Sequence, residues 1–202
     1  KRCATLAAPA RRRHLHRAQV KLHSSAGPRT PAIRAVAPGP PPSSRKIRLS
    51  TAFITHPSFL LHDMGPQHPE CPARLTAIAD RLVAAGVDGH LQHHEAPRAS
   101  REAVLRAHGA DYVARLEAAS PREGLAYLDP DTALNPHSLD AAWHAAGALT
   151  LATDLVMRGE CDNAFCAVRP PGHHAVRDRA MGFCVFNSGA IGILHALEAH
   201  GL

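Results

Sequence analysis

Two adjacent histidines, His173 and His174, sit in the segment Arg169-Pro170-Pro171-Gly172-His173-His174-Ala175. Imidazole titrates near neutrality, which makes it the usual general acid or base. Two abreast can divide the work, one activating water and the other holding charge. A bare His-His pair is more often one solvated ring and one ring bonded to backbone. The flanks argue for a built site: Pro170 and Pro171 fix φ, and Gly172 permits an unusual turn. Met181-Gly182-Phe183-Cys184-Val185-Phe186-Asn187 follows shortly after. A glycine beside an aromatic lets a ligand approach the backbone while the ring forms an apolar wall. The plainer reading of Gly182 and Phe183 is a strand start with a core phenylalanine.

Other polar groups are less pointed. Asp129-Pro130-Asp131-Thr132 is a turn with two acids, and such turns are usually only turns. Asp131 could grip a substrate N–H or a cation. His56, His62 and His68 share one loop, but their spacing matches no common zinc pattern. They read as polar loop groups, and His93-His94 as an isolated pair. Trp143, His144 and Leu149 read as packing on a helix. The five cysteines are Cys3, Cys71, Cys161, Cys166 and Cys184, with no CxxC pair. That pattern implies no disulfide framework and favours a reducing compartment. Cys166 and Cys184 read as small apolar fillers.

These groups need a scaffold. Thr51–Thr55 is a short β-like run. A polar loop over His56–Pro72 precedes a helix over Ala73–Ala85, with Leu75, Ile78, Leu82 and Val83 at helical spacing and Gly86 as its stop. Ser100 caps a second helix, and Asp111–Glu117 reads as a third. Leu128–Pro136 is turn-rich. Ser138 caps a long helix to about Arg158, ended by Gly159. Asn163–Val168 is an apolar run suited to a strand covered on both faces. Ser188–Ala199 is a last helix, followed by Gly201. Helices alternating with apolar strands predict an α/β fold with a mainly parallel sheet. Ligands in such sheets sit beyond the carboxyl ends of strands, where the Arg169–Phe183 loop lies.

The 202 residues leave room for one ordinary domain. The net charge of +6 divides sharply along the chain. Residues 1–50 carry 12 Lys/Arg and no acid; the rest carries 11 arginines, no lysine and all 17 acids. The basic segment, residues 1–49, reads as a disordered leader of the Arg-rich, acid-poor kind seen in transit peptides for the mitochondrion or chloroplast. A plain tail or a translated upstream region is the alternative, and leaves cytoplasm or nucleus as the compartment. Residues 50–202 form the globular part. Its acidic balance counts against a broad nucleic-acid surface. No apolar run approaches the roughly 18 residues of a membrane span.

Taken together, RPPGHHA and MGFCVFNS resemble the histone deacetylase and acetylpolyamine amidohydrolase superfamily, and most closely its class II and bacterial members. His68-Pro69-Glu70-Cys71-Pro72-Ala73-Arg74-Leu75 is similar to that family's HPERPxRL segment, with Cys71 where it has arginine. Arg106-Ala107-His108 to Tyr112 is similar to its R-x-H-x3-Y segment. Asp129–Thr132 and Ala141–Gly147 resemble the stretch leading into its long helix. The resemblance runs over about residues 51–202, with four motifs in order.

The resemblance implies an arginase/deacetylase-like three-layer α/β fold and zinc-dependent hydrolysis of N-acetyl amides, on protein lysines or polyamines. It matches His173 and His174 to the tandem catalytic histidines, one a general base and the other stabilising charge or moving a proton. It matches Gly182 and Phe183 to the acetyl-lysine tunnel, and Asp131 to a rim aspartate that binds substrate backbone. The family's Asp-x-His zinc ligands, its later Asp ligand and its catalytic Tyr have no counterpart up to Leu202. The expectation is a chain cut before the metal-binding strands. Alone it would hold no catalytic zinc and turn over no substrate, so metal ligands within it are none. The alternative is a non-catalytic binding module or pseudoenzyme. Oligomeric state is not legible from the residues.

Overall fold

The computed structural model describes residues 49–202. Apart from Leu49, the basic leader read over residues 1–49 lies outside the described residues.

The scaffold opens with β1 (Thr51–Thr55), α1 (Ser58–Leu61) and α2 (Ala73–Ala84). A 3-10 turn leads into β2 (Leu91–Glu95), followed by α3 (Arg101–Ala107) and α4 (Ala110–Ala119). Next come β3 (Ala126–Asp129), β4 (Thr132–Leu134), α5 (Ser138–Met157), β5 (Asn163–Cys166) and α6 (Ser188–His200). The three longer-range strands make a parallel sheet in the order β2-β1-β5. Thr51 lies opposite both Leu91 and Asn163, so Thr55, Glu95 and Cys166 end on one edge. β1 is the middle strand, and its Ala52, Phe53 and Ile54 are buried. Two bonds carry the alignment past the strand ends: Ala96 N–H donates to the Thr55 carbonyl at 2.8 Å, and Ala167 N–H to the Ile54 carbonyl at 2.9 Å.

Helix α5 is buried on two sides, and alanines line both of them. Ala141, Ala145, Ala148 and Ala152 recur at helical spacing and pack with β1, Phe59 and Leu75. Ala142, Trp143 and Ala146 turn towards α3, α4, α6 and the Val185–Phe186 segment. Small side chains let the backbone of the next layer come close. A Cβ on Gly147 would collide with the Pro97 carbonyl and lie 2.9 Å from the Ala99 nitrogen, so the connection after β2 can cross α5 only over a glycine.

Several expectations change. β2 was legible only as the polar pair His93-His94; Leu-Gln-His-His-Glu has little apolar content, and it forms a strand because β1 offers it an edge. Among the described residues β5 is not covered on both faces: its burial alternates, and Phe165 is 49% exposed. The turn-rich Leu128–Pro136 stretch contains most of an antiparallel hairpin, β3-β4, with an irregular register between Tyr127 and Asp129. Ser100 caps α3 as expected, its hydroxyl accepting from Ala103 N–H at 3.1 Å. Ser138 does not cap α5: it is the first helical residue, and its hydroxyl is occupied by His62 and Asn135. His62 is no loop polar group, since it is fully buried.

Candidate active site

The loop leaving β5 at the carboxyl edge of the sheet carries both histidines, and its course is fixed by one buried arginine. Arg169 is 0% exposed, yet its guanidinium has a partner in every direction. Its Nε donates to Glu70 Oε1 at 2.7 Å and its Nη2 to Glu70 Oε2 at 2.8 Å. Its Nη1 donates to the Phe59 and His62 carbonyls, both at 2.7 Å. A planar fork with five N–H groups suits such a two-point carboxylate contact, and a lysine could not supply it. Arg74 adds a second guanidinium, donating to Glu70 Oε1 at 3.1 Å and to the Val168 carbonyl at 2.7 Å. Burial alone would raise the Glu70 carboxyl, but the hydrogen bonds and charges of Arg169 and Arg74 outweigh it and hold the group below its usual range.

His62 completes this buried cluster. Its Nδ1 lies 2.7 Å from Ser138 Oγ. Asn135 Oδ1 accepts from His137 N–H at 3.0 Å and from Ser138 Oγ at 2.8 Å, so the Ser138 proton points at Asn135. Ser138 must then accept from His62, which places the imidazole proton on Nδ1. Among the described residues Nε2 has no hydrogen-bond partner, and it lies 3.6 Å from Glu70 Oε2. Burial pushes the His62 pKa down to about 4, with Glu70 opposing and Arg169 assisting.

Beyond Pro171 the loop turns against α6. A Cβ on Gly172 would lie 2.6 Å from the Ser188 side chain, and Gly189 N–H donates to the Gly172 carbonyl at 3.0 Å. His173 and His174 follow, both exposed, with ring centroids 4.2 Å apart. Their backbone N–H groups both point at Cys184 Sγ, 3.4 Å from each nitrogen. Cys184 in turn donates to the Gly182 carbonyl at 3.3 Å. The expected apolar filler is therefore also the sulfur that aligns the histidine backbone. Gly182 has φ +57, and a Cβ there would fall 2.8 Å from the His174 ring. Its missing side chain makes the room that His174 occupies.

Phe183 has φ +69, a left-handed conformation that non-glycine residues seldom adopt. Its N–H donates to Thr132 Oγ1 at 2.9 Å, and Thr132 Oγ1 donates to Asp131 Oδ1 at 2.9 Å. One hydroxyl thus ties the phenylalanine to the exposed rim aspartate. The Thr132 bond also holds the Asp131 carboxyl below its ordinary range. The Phe183 ring meets His68 edge-on, with centroids 4.6 Å apart.

The far side of the loop rests on His108. Its Nε2 accepts from Asn187 N–H at 2.9 Å, so its proton is on Nδ1, which donates to the Arg177 carbonyl at 3.3 Å. Burial lowers its pKa and keeps it neutral in this role. The Tyr112 hydroxyl donates to the Val185 carbonyl at 2.6 Å, and burial raises its pKa. Asn187 caps α6 through Ala190 N–H and holds the Ala175 carbonyl, each at 2.9 Å.

His173, His174, Asp131, Gly182 and Phe183 all line one cleft of about 700 Å³, together with Glu70, Arg74, Cys166 and Val168. The sequence reading placed these five together and missed what supports them: Glu70, Arg169, His62, His108 and Cys184. Glu70 and His108 lay inside segments noticed for their resemblance. Arg169 stands beside the prolines in sequence, but nothing local shows that its partners are 99 to 110 residues away. The cleft offers two imidazoles for proton transfer, an apolar wall and a carboxylate at the rim. Among the described residues, the one group of three side chains placed to share a metal ion lies elsewhere.

A model of the histone deacetylase domain matches residues 68–202. The chain belongs to the histone deacetylase family. It is 40% identical over 169 residues to the histone deacetylase-like amidohydrolase of Pseudomonas aeruginosa, covering 75% of this chain and 44% of that protein. It is 35% identical to the human polyamine deacetylase HDAC10, covering 76% of this chain and 24% of that protein. The crystal structure of the HDA15 HD domain aligns with a TM-score of 0.69 at 37% identity, over 75% of this chain and 44% of that one. The chain spans less than half the length of these relatives. The arginase/deacetylase-like α/β fold expected from the motifs is the fold of the histone deacetylase family domain seen here.

Proposed function

We propose that the protein to which this histone deacetylase domain belongs hydrolyses N-acetyl amides, on lysine side chains or on polyamines. The observation that carries this reading is the meeting of His173, His174, Phe183 and Asp131 in one cleft at the carboxyl edge of a parallel sheet. Phe183 walls the apolar arm of the substrate, Asp131 accepts an N–H at the rim, and Gly182 gives His174 its place. One histidine takes the proton of the attacking water. The other carries positive charge or returns a proton to the leaving amine. Zinc, the metal implied by the family, supplies Lewis acidity to the amide carbonyl and acidifies water. The described cleft residues do not make a ligand set for it. We therefore expect no turnover from residues 1–202 by themselves; the second reading is capture of acetylated ligands without hydrolysis.

The test is to assay the native-length protein on an acetyl-lysine peptide and an acetylated polyamine, with metal content measured in parallel. Turnover of either with bound zinc supports hydrolysis, and the ratio assigns the substrate class. Ligand binding with neither turnover nor zinc supports capture and contradicts the first reading.

We also propose the leader, residues 1–49, as an organelle-targeting segment. Fused to a fluorescent reporter, it should deliver the reporter to the mitochondrion or chloroplast. A reporter left in cytoplasm or nucleus would contradict this.

A further inference from the structure

We propose that Asp154, His195 and His200 form a second metal site, for a zinc-class divalent ion, on the α5–α6 pair and away from the cleft. The inference does not depend on the deacetylase reading.

The site begins with a glycine. Helices α5 and α6 approach closely because a Cβ on Gly192 would already lie 3.1 Å from the Leu149 side chain. Thr153 Oγ1, bonded to its own Leu149 carbonyl at 2.8 Å, sits 3.5 Å from the Gly192 carbonyl. Asp154 is the next residue along α5, and His195 is three residues beyond Gly192, on the same helix face. Short side chains can therefore meet across the gap. His200 arrives from the last turn of α6, which Gly201 ends in a left-handed conformation at φ +68.

The three side chains converge on one point. His195 Nε2 and His200 Nε2 each lie 2.8 Å from the same oxygen, Asp154 Oδ1. The rings stand at 84° to each other, edge to face, with centroids 5.9 Å apart. One ligand atom from each residue falls within 4.8 Å of the others. All three residues are half-buried, sheltered yet reachable from solvent. Two imidazoles and a carboxylate suit zinc, cobalt or nickel and not calcium or magnesium. Zinc–nitrogen and zinc–oxygen bonds of about 2.0–2.2 Å give tetrahedral edges of about 3.3 Å, so the two 2.8 Å contacts need open only by about half an ångström. Each imidazole now donates from Nε2 to Asp154; a bound metal takes the Nε2 lone pair, and that proton leaves to Nδ1 or to solvent. Water fills the fourth position. Arg158 is the opposing charge: its Nη2 lies 3.4 Å from Asp154 Oδ2, but the side chain is mostly exposed and free to swing outward or to hold the outer oxygen as a supporting contact.

Such a site is a clamp. Ser188, at the start of α6, packs on Gly172 of the histidine loop, and His200 lies about 18 Å further along the helix axis. A bound ion ties the remote end of that helix to α5.

The experiment titrates cobalt(II) and zinc chloride into the metal-free 202-residue chain, reading cobalt visible absorption and bound metal per chain. The expected result is one ion per chain with ligand-field bands. His200→Gln and His195→Gln should each weaken binding by at least about 10-fold, and His93→Gln, outside the cluster, should not. Because His200 lies in the last helical turn, circular dichroism of His200→Gln checks that the variant is folded. Absence of bound metal in the wild-type chain, or equal binding in all variants, would overturn the proposal.

Discussion

Arg169 and Glu70, 99 residues apart, meet in a buried two-point ion pair with contacts of 2.7 and 2.8 Å. The pair joins the start of the histidine loop to the segment before α2, so the site's position depends on a contact remote from its chemistry. Removing one partner of such a pair leaves an uncompensated buried charge and costs about 3–5 kcal/mol. Arg169→Met and Glu70→Gln should each lower the unfolding free energy by that order, read by urea or thermal denaturation. The double variant should recover part of the loss, because neither charge is then stranded. Single-variant costs below about 1 kcal/mol would show that the pair carries no such weight.

The same cluster sets an acid limit on stability. His62 titrates near 6.5 when unfolded and at about 4 when buried. Between those values the unfolded chain binds a proton that the folded chain refuses. Stability from this group is complete above pH 6.5 and is lost as pH falls towards 4, by roughly 3 kcal/mol. Glu70 is also held low, so its contribution is whole above its ordinary value of 4.5 and is lost as pH falls below that. His62→Gln should flatten the stability curve between pH 6.5 and 4 relative to the parent. Parallel curves for the two proteins would contradict the assignment.

Phe183 separates backbone from ring. At φ +69 its Cβ is strained, and glycine there is free of that cost. Phe183→Gly should be more stable than Phe183→Ala by about 1 kcal/mol, since both lose the ring and only alanine keeps the strain. In the native-length protein both should raise KM for an acetylated substrate, because the apolar wall is gone. An alanine variant as stable as the glycine variant would remove the strain argument.

What could be read from the sequence follows from range. Pro170, Pro171 and Gly172 mark a turn through their own backbone limits, and the turn is there. Gly159 marks the end of a long helix that starts near Ser138, and α5 is there. β2 escaped because Gln92, His93, His94 and Glu95 have no strand pattern of their own; pairing with β1 makes them a strand. Ser138 looked like a cap because serine often is one, but His62, 76 residues away, takes its hydroxyl. Cys184 looked apolar, since nothing local shows two backbone N–H groups aimed at its sulfur. The five residues facing the cleft were legible as a set; the buried groups that hold them were not.

The central claim is that His173 and His174 perform the proton transfers of amide hydrolysis. The most direct measurement is kcat on an acetylated substrate for His173→Ala and His174→Ala in the native-length protein. Each should lose about 10²- to 10⁴-fold with little change in thermal stability, because both rings are exposed. Activity within a few-fold of the parent in both variants would contradict the account.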